Sequence, residues 1–259
     1  MAALAIASAA TLPASDDKAD ITQALLDYAE GYYGGEPARM TRAVSPYLTK
    51  RELSVRKGAS SLLGEMNADT LIDYSYGVKL APEARQMTTE VLDVGAETAS
   101  GRVFSARFND YAHLIKRNGT WQIINVLWHS PPPASADQQD QTSVVTQAVR
   151  TLVTALTGSS APELSVIHPL AHIRVLAPGR QGRPRTVIDQ NAESFVAALA
   201  RGAGKLKGTA DEAQVVIEGI DNDIATARIQ VGPTKVHLHL AQIDGRWRVV
   251  TVLNWTAVP

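Results

Sequence analysis

The period of the apolar positions changes along the chain, and the change happens twice. Ile21, Ala24, Leu25, Tyr28 and Tyr32 fall at i, i+3, i+4, i+7 and i+11, one face of a helix, with Gln23, Asp27 and Glu30 on the other. The spacing predicts a helix over 16–34, capped by Asp16 or Asp17 and stopped at Gly34-Gly35. A short second helix starts at Pro37 and ends at Ser45-Pro46, because the residue before a proline avoids the α region. Leu53 and Val55 alternate with charge and suggest a short strand. Asn67 then caps a helix through Leu71 and Tyr74 that stops at Gly77. From Arg85 the period drops to two. It predicts strands near 86–94, 98–109, 110–117 and 120–128, antiparallel because their connections are short.

The second half repeats this order. Asn118-Gly119 stands two residues before Trp121, and Asp244-Gly245 two residues before Trp247; both dipeptides are hairpin signals because their residues accept positive φ. Thr146-Gln147-Ala148 echoes Thr22-Gln23-Ala24 in a predicted helix over 143–157. A short helix at Pro162 follows, then His168-Pro169, a strand over His172–Leu176, a helix capped by Asp189, and strands near 213–220, 223–231, 234–243 and 246–255. The domain reading is a tail or signal-peptide remnant over 1–15, a first domain over 16–130, a proline-rich and then polar linker over 131–142, and a more divergent second domain over 143–259. Trp121 and Trp128 are seven residues apart but Trp247 and Trp255 are eight, so the second Trp of each pair faces opposite sides unless a bulge absorbs the difference.

Helices first and strands last make each unit α+β. The strands are apolar on both faces, with Ile123 and Leu127 on one and Ile124 and Val126 on the other. Helices cover one face, and the sister domain's sheet is the available cover for the other. The expected architecture is therefore an internal pseudo-dimer, sheet against sheet.

Composition narrows the picture only a little. The 259 residues carry a net charge of −1, so there is no basic footprint for nucleic acid. With no cysteine, disulfides and thiolate metal sites are excluded. No apolar run is long enough to span a bilayer. The small, apolar, uncharged start MAALAIASAATLPAS has two readings: a truncated signal peptide, which would place the protein in the bacterial periplasm or outside the cell, or an Ala-rich tail on a cytoplasmic protein.

The run Asp27-Tyr28-Ala29-Glu30-Gly31-Tyr32-Tyr33 resembles the opening of the bacterial lumazine-binding-like family, within the nuclear transport factor 2-like (SnoaL-like) superfamily. Ser45-Pro46, Lys50-Arg51, Asp110-Tyr111-Ala112-His113-Leu114 and Asn118-Gly119-Thr120-Trp121 through Trp128 extend the resemblance over roughly residues 20–130; over 143–257 it rests on the repeat. The family pattern has His-Pro where this chain has Ser45-Pro46, whereas the second repeat keeps His168-Pro169. The resemblance implies two cone-shaped, cystatin-like domains with helices packed into a curved antiparallel sheet, a pocket at the cone's mouth and a small aromatic ligand of the lumazine or pterin kind. Such folds host enzymes and plain binding proteins alike.

Several residues carry candidate chemistry. Tyr28, Tyr32 and Tyr33 on the first helix, with Tyr111, His113 and Trp128 on the strands, are the candidate ligand-binding set; buried tyrosines also serve as ordinary core. Asp110 and His113 are the candidate acid–base residues, and Tyr111 and His113 share a strand face about 6.8 Å apart. His237 and His239 share a face in the second half, and with His168 or His172 they suggest a zinc or copper site that lacks a marked further ligand. A polar strip at the sheet contact explains the same pair. Lys50, Arg51, Arg56 and Lys57, and Arg180, Arg183 and Arg185, read as solvated basic clusters or anion receivers. No cofactor motif is present. The first reading is a small-molecule-binding protein without assigned catalysis. The alternatives are an isomerase, dehydratase or hydrolase using Asp110 or His113, and an interaction module with a collapsed pocket.

Overall fold

The structure, a computed structural model, describes residues 14–54, 61–129, 141–158, 164–177, 179 and 185–255. Most of the N-terminal tail and of the linker, together with Arg56, Lys57, Pro162, Arg180 and Arg183, lie outside the described residues.

The first domain runs α1 (Ala14–Gly34), α2 (Pro37–Ala43), β1 (Val44–Ser54), β2 (Leu62–Asn67), α3 (Ala68–Ser75), β3 (Met87–Val94), β4 (Thr98–Ser105), β5 (Asn109–Arg117) and β6 (Thr120–His129). The second runs α4 (Thr142–Thr157), β7 (Ile167–Ala177), β8 (Thr186–Asn191), α5 (Ala192–Ala200), β9 (Gln214–Asp221), β10 (Ile224–Val231), β11 (Thr234–Ile243) and β12 (Arg246–Trp255). Each domain has one six-stranded sheet, in order β2-β1-β6-β5-β4-β3 and β8-β7-β12-β11-β10-β9. Asn118, Asn222 and Asp244 all adopt φ near +50°, which is what two-residue hairpin turns require.

Five local expectations are corrected. Two strands, not one, precede α3, and likewise α5. The sheets are mixed, since β1 runs parallel to β6 and β7 to β12. The short-connection rule governs only neighbours in sequence, and these pairs are joined by long crossovers. Where a second short helix was expected in the second half, a 3-10 turn at Leu164–Val166 leads into β7. Asn191, not Asp189, caps α5, its side chain accepting from the Ser194 N–H at 2.8 Å; the counterpart Asn67 caps α3 as predicted. Finally, a bulge at Ile124, between the pairs His113–Asn125 and Leu114–Ile123, shifts the phase of β6. Ile123 and Val126 therefore face the helices, while Ile124 and Leu127 face the other domain.

Val250 forms the same bulge in β12. Because both copies bulge at one place, the bulge does not absorb the extra residue before Trp255. The counterpart of Trp128 is Asn254, and Trp255 lies one position further on.

The sheets meet face to face. Leu53, Tyr111 and Leu127 of the first domain cluster with Ile224, Ala241, Ile243 and Val250 of the second, and Ile115 and Ile124 cluster with Leu176 and Leu253. Close approach is built in. A Cβ on Gly219 would lie 2.6 Å from the Tyr111 hydroxyl. The internal pseudo-dimer is thus the architecture of the molecule. No described helix is long and apolar enough to cross a membrane.

Candidate functional site

Period two divides the predicted site residues between the two faces of the first sheet. Tyr111 and His113 point to the seam between domains, and Asp110 and Trp128 point into the cone. Asp110 and His113 therefore do not act as a pair.

At the seam, the His113 ring stacks on His239 with centroids 3.6 Å apart and lies 5.6 Å from His237. All three imidazoles are fully buried, and burial pushes each below the ordinary histidine range, His237 to about 3. They are neutral at neutral pH. His237 accepts or donates at Thr98 Oγ1, 3.2 Å away, whereas neither nitrogen of His239 has a partner. The predicted metal set does not assemble. The Nδ1 of His168 accepts from the Leu170 N–H at 3.2 Å, and the group close enough to hold an ion among the described residues is Asp93, Glu218 and His237. Cations already serve those carboxylates: Lys235 Nζ is 2.6 Å from Asp93, and Arg228 is 3.2 Å from Asp93 and 3.3 Å from Glu218.

Two arginines lock the seam. Arg51 on β1 donates to the Val250 carbonyl at 2.5 Å and to the Leu170 carbonyl. Its counterpart Arg174 on β7 donates to the Ile124 carbonyl at 2.8 Å, to Asn125 Oδ1 at 2.5 Å and to Thr49 Oγ1 at 2.6 Å. Each guanidinium thus satisfies the bulge carbonyl of the opposite domain, and each pairs with a carboxylate on its own neighbouring strand, Glu65 or Asp189. His172 bridges those two carboxylates, 3.3 Å from Glu65 and 2.9 Å from Asp189. Beside this network lies a cleft of about 570 Å³ lined by Arg51, Leu63, Glu65, Leu170 and His172 among others. Lys50-Arg51 is therefore not a solvated patch, because both side chains are buried.

Inside the first cone, α1, β1 and β5 bring three polar side chains together. The Tyr28 hydroxyl donates to Asp110 Oδ2 at 2.9 Å; Lys50 Nζ donates to the Tyr28 oxygen at 2.5 Å and to Asp110 Oδ1 at 3.0 Å. Tyr28, Lys50 and Asp110 are 1%, 5% and 0% exposed. Aromatic faces surround the ammonium, with ring centroids at 4.7 Å (Trp128), 5.1 Å (Phe108) and 5.2 Å (Tyr28). Burial pushes Lys50 below and Asp110 above their ordinary ranges, while their mutual attraction opposes both shifts. Tyr28 is pushed well up by burial and then by the Asp110 charge.

Outward from this cluster, Tyr33 stacks on Phe108 and its hydroxyl lies 2.6 Å from Ser105 Oγ. Tyr32 and Trp128 meet Phe108 edge-on and are partly exposed. The indole N–H of Trp128 is buried with no partner. Buried donors normally find acceptors, so this N–H marks a place for one.

The second domain supplies the comparison. Burial aligns Ile21, Leu25, Tyr28 and Ala29 with Val145, Val149, Leu152 and Val153. The strand registers align Lys50 with Ile173 and Asp110 with Val236. Where the first domain buries Tyr28, Lys50 and Asp110, the second buries Leu152, Ile173 and Val236 in one continuous apolar core. Trp128 and Phe108 likewise correspond to Asn254 and Thr234.

A six-stranded mixed sheet with helices against its inner face, built twice and paired back to back, defines a tandem cone-domain protein. Residues 16–129 match the family model described as "Putative lumazine-binding". The match covers the first domain, and the second domain repeats its sheet order. Among solved structures, a nuclear transport factor 2-like protein of unknown function from Shewanella baltica is 22% identical, covers 48% of this chain and 100% of its own, and has a TM-score of 0.40. One from Silicibacter pomeroyi is 16% identical over 45% of this chain and 98% of its own, with a TM-score of 0.36. A ketosteroid isomerase-like protein from Erwinia carotovora atroseptica is 16% identical over 46% and 98%, with a TM-score of 0.33. No curated protein matches the chain.

Sequence reasoning placed Tyr28 and Asp110 in the candidate set but missed Lys50 as their partner. The signal was present. Lys50 lies within the run that carries the family resemblance, and a lysine in a half-apolar strand is a candidate for burial. Arg174 gave no comparable signal.

Proposed function

We propose that the protein binds a small molecule in its first domain, at the aromatic end of the cone where Trp128, Phe108 and Tyr32 lead to Lys50, Tyr28 and Asp110. The observation that carries this reading is the internal control. Leu152, Ile173 and Val236 fill the same three positions in a domain of the same fold, so folding does not need the polar trio. Burying an ion pair where apolar groups suffice is neutral or costly, and its retention points to a ligand. The ligand is flat and aromatic or apolar, with an acceptor oxygen for the Trp128 N–H; a lumazine or pterin has this chemistry. Tyr111 and His113 lie outside this set, because they face the seam.

The test is a thermal-shift and Trp-fluorescence titration with pterins, flavins and simpler aromatic carbonyl compounds. Binding to the wild type that is lost in Tyr28→Leu/Lys50→Ile/Asp110→Val supports the reading. Equal binding by that variant would place the site elsewhere.

A second reading, an enzyme of the isomerase or dehydratase kind, is favoured by the hydrogen-bonded carboxylate and phenol of Asp110 and Tyr28, groups suited to moving a proton. It uses Asp110 without His113.

A further inference from the structure

We propose that Lys50 forms an imine with an aldehyde or ketone carried on an aromatic or apolar body, with Asp110 and Tyr28 as its proton-transfer partners. This rests on the proposed binding site and assigns it a covalent step. Imine formation needs an amine with a free lone pair, an acid to remove the carbinolamine hydroxyl, and a site that favours the cationic product over water. Lys50 Nζ lies 3.0 Å from the Asp110 carboxylate and 2.5 Å from the Tyr28 oxygen, so amine and acid are already in contact. Burial pushes Lys50 toward the amine and Asp110 toward the acid against their mutual attraction, and a proton handed from Nζ to the carboxylate it touches leaves amine and acid side by side. Desolvated lysines are the ones that act as nucleophiles toward carbonyls.

The step balances. The Lys50 nitrogen lone pair attacks the carbonyl carbon, and a proton passes from nitrogen to the new alkoxide through the Tyr28 hydroxyl. Asp110 then protonates the carbinolamine hydroxyl, the C–O bond breaks, and water leaves. An iminium and the Asp110 carboxylate remain, and the substrate contributes one oxygen atom, lost as water. The ring faces of Trp128, Phe108 and Tyr28 that now surround the ammonium would face the iminium instead. The unpartnered Trp128 N–H is a buried donor that such a carbonyl oxygen would satisfy before it leaves. The second domain has none of this chemistry, since Ile173 stands in place of Lys50.

The experiment is reductive trapping. The full chain is incubated with benzaldehyde and sodium cyanoborohydride at pH 7, and the benzylated lysine is located by peptide mass mapping. The proposal expects Lys50 to be modified at least tenfold faster than exposed Lys18 and Lys205, and Asp110→Asn and Tyr28→Phe to cut Lys50 labelling about tenfold with folding verified by circular dichroism. Because a variant can fail to fold, the pH profile of Lys50 labelling in the wild type is a second measure. It should rise less steeply from pH 7 to 9 than the labelling of the exposed lysines. Labelling that simply follows exposure, with Lys50 unmodified, would overturn the imine. If benzaldehyde or a pterin still shifts the melting temperature in that case, the binding reading stands alone; if neither binds, both readings fall.

Discussion

At three equivalent positions the two domains solve one packing problem in different ways. The first places Tyr28, Lys50 and Asp110 between its helix and sheet, and the second places Leu152, Ile173 and Val236. The surroundings are alike: the same strand registers, the same bulge at Ile124 and Val250, the same Asn cap on the helix after the second strand. The difference teaches that the polar trio is an addition to the fold, not a requirement of it. At the seam the opposite holds. Arg51 and Arg174 are used in the same way in both copies, because both bulges leave a carbonyl that only the other domain can satisfy.

The sharpest test of this contrast removes one arginine at a time. Arg51→Ala and Arg174→Ala should each cost about 3–5 kcal/mol in urea unfolding, because two or more acceptors across the seam lose their donor at about 1–3 kcal/mol each. Matching losses would affirm the symmetry of the seam, and a loss confined to one variant would break it.

Lys50→Ile alone should cost a similar amount, about 3–5 kcal/mol, since Asp110 is left buried without its partner. The triple change to Leu, Ile and Val should recover that loss and run from neutral to about 4 kcal/mol more stable than the wild type. Calorimetry of both proteins decides. A triple variant as unstable as the single one would mean the trio is structural after all.

The seam histidines predict acid sensitivity. His113, His237 and His239 are neutral in the fold but take up protons once unfolded, where a histidine titrates near 6.5. Their contribution is complete above that pH. It is lost as pH falls, down to about pH 3 for His237. His237 therefore costs about 2 kcal/mol of stability by pH 5, and His113 and His239 add to the loss in the same direction. Unfolding curves at pH 7.5 and 5.0 should show the drop, and His237→Gln should flatten it.

The smallest effect concerns the caps. Asn67→Ala and Asn191→Ala should each cost about 1 kcal/mol. Unequal thermal shifts would show that α3 and α5 are not equally dependent on their caps.

Local pattern determined a good deal of this protein. The last four strands of each domain, the Asn-Gly and Asp-Gly turns, the helix over Ile21–Tyr32 and the duplication were legible because each shows in a pattern of neighbours within a few residues. The apolar character of both strand faces even implied the back-to-back pairing. What sequence could not give was the partner of each buried polar group. Lys50 and Arg51 read as one basic patch, yet successive residues on a strand point opposite ways. One entered the cone to meet Asp110, 60 residues away, and the other crossed the seam to Val250, 199 residues away. The bulge at Ile124 inverted a face assignment that strict alternation had made. Alternation and capping are short-range and survive in one dimension; compensation of a buried charge is settled only when distant strands arrive beside it.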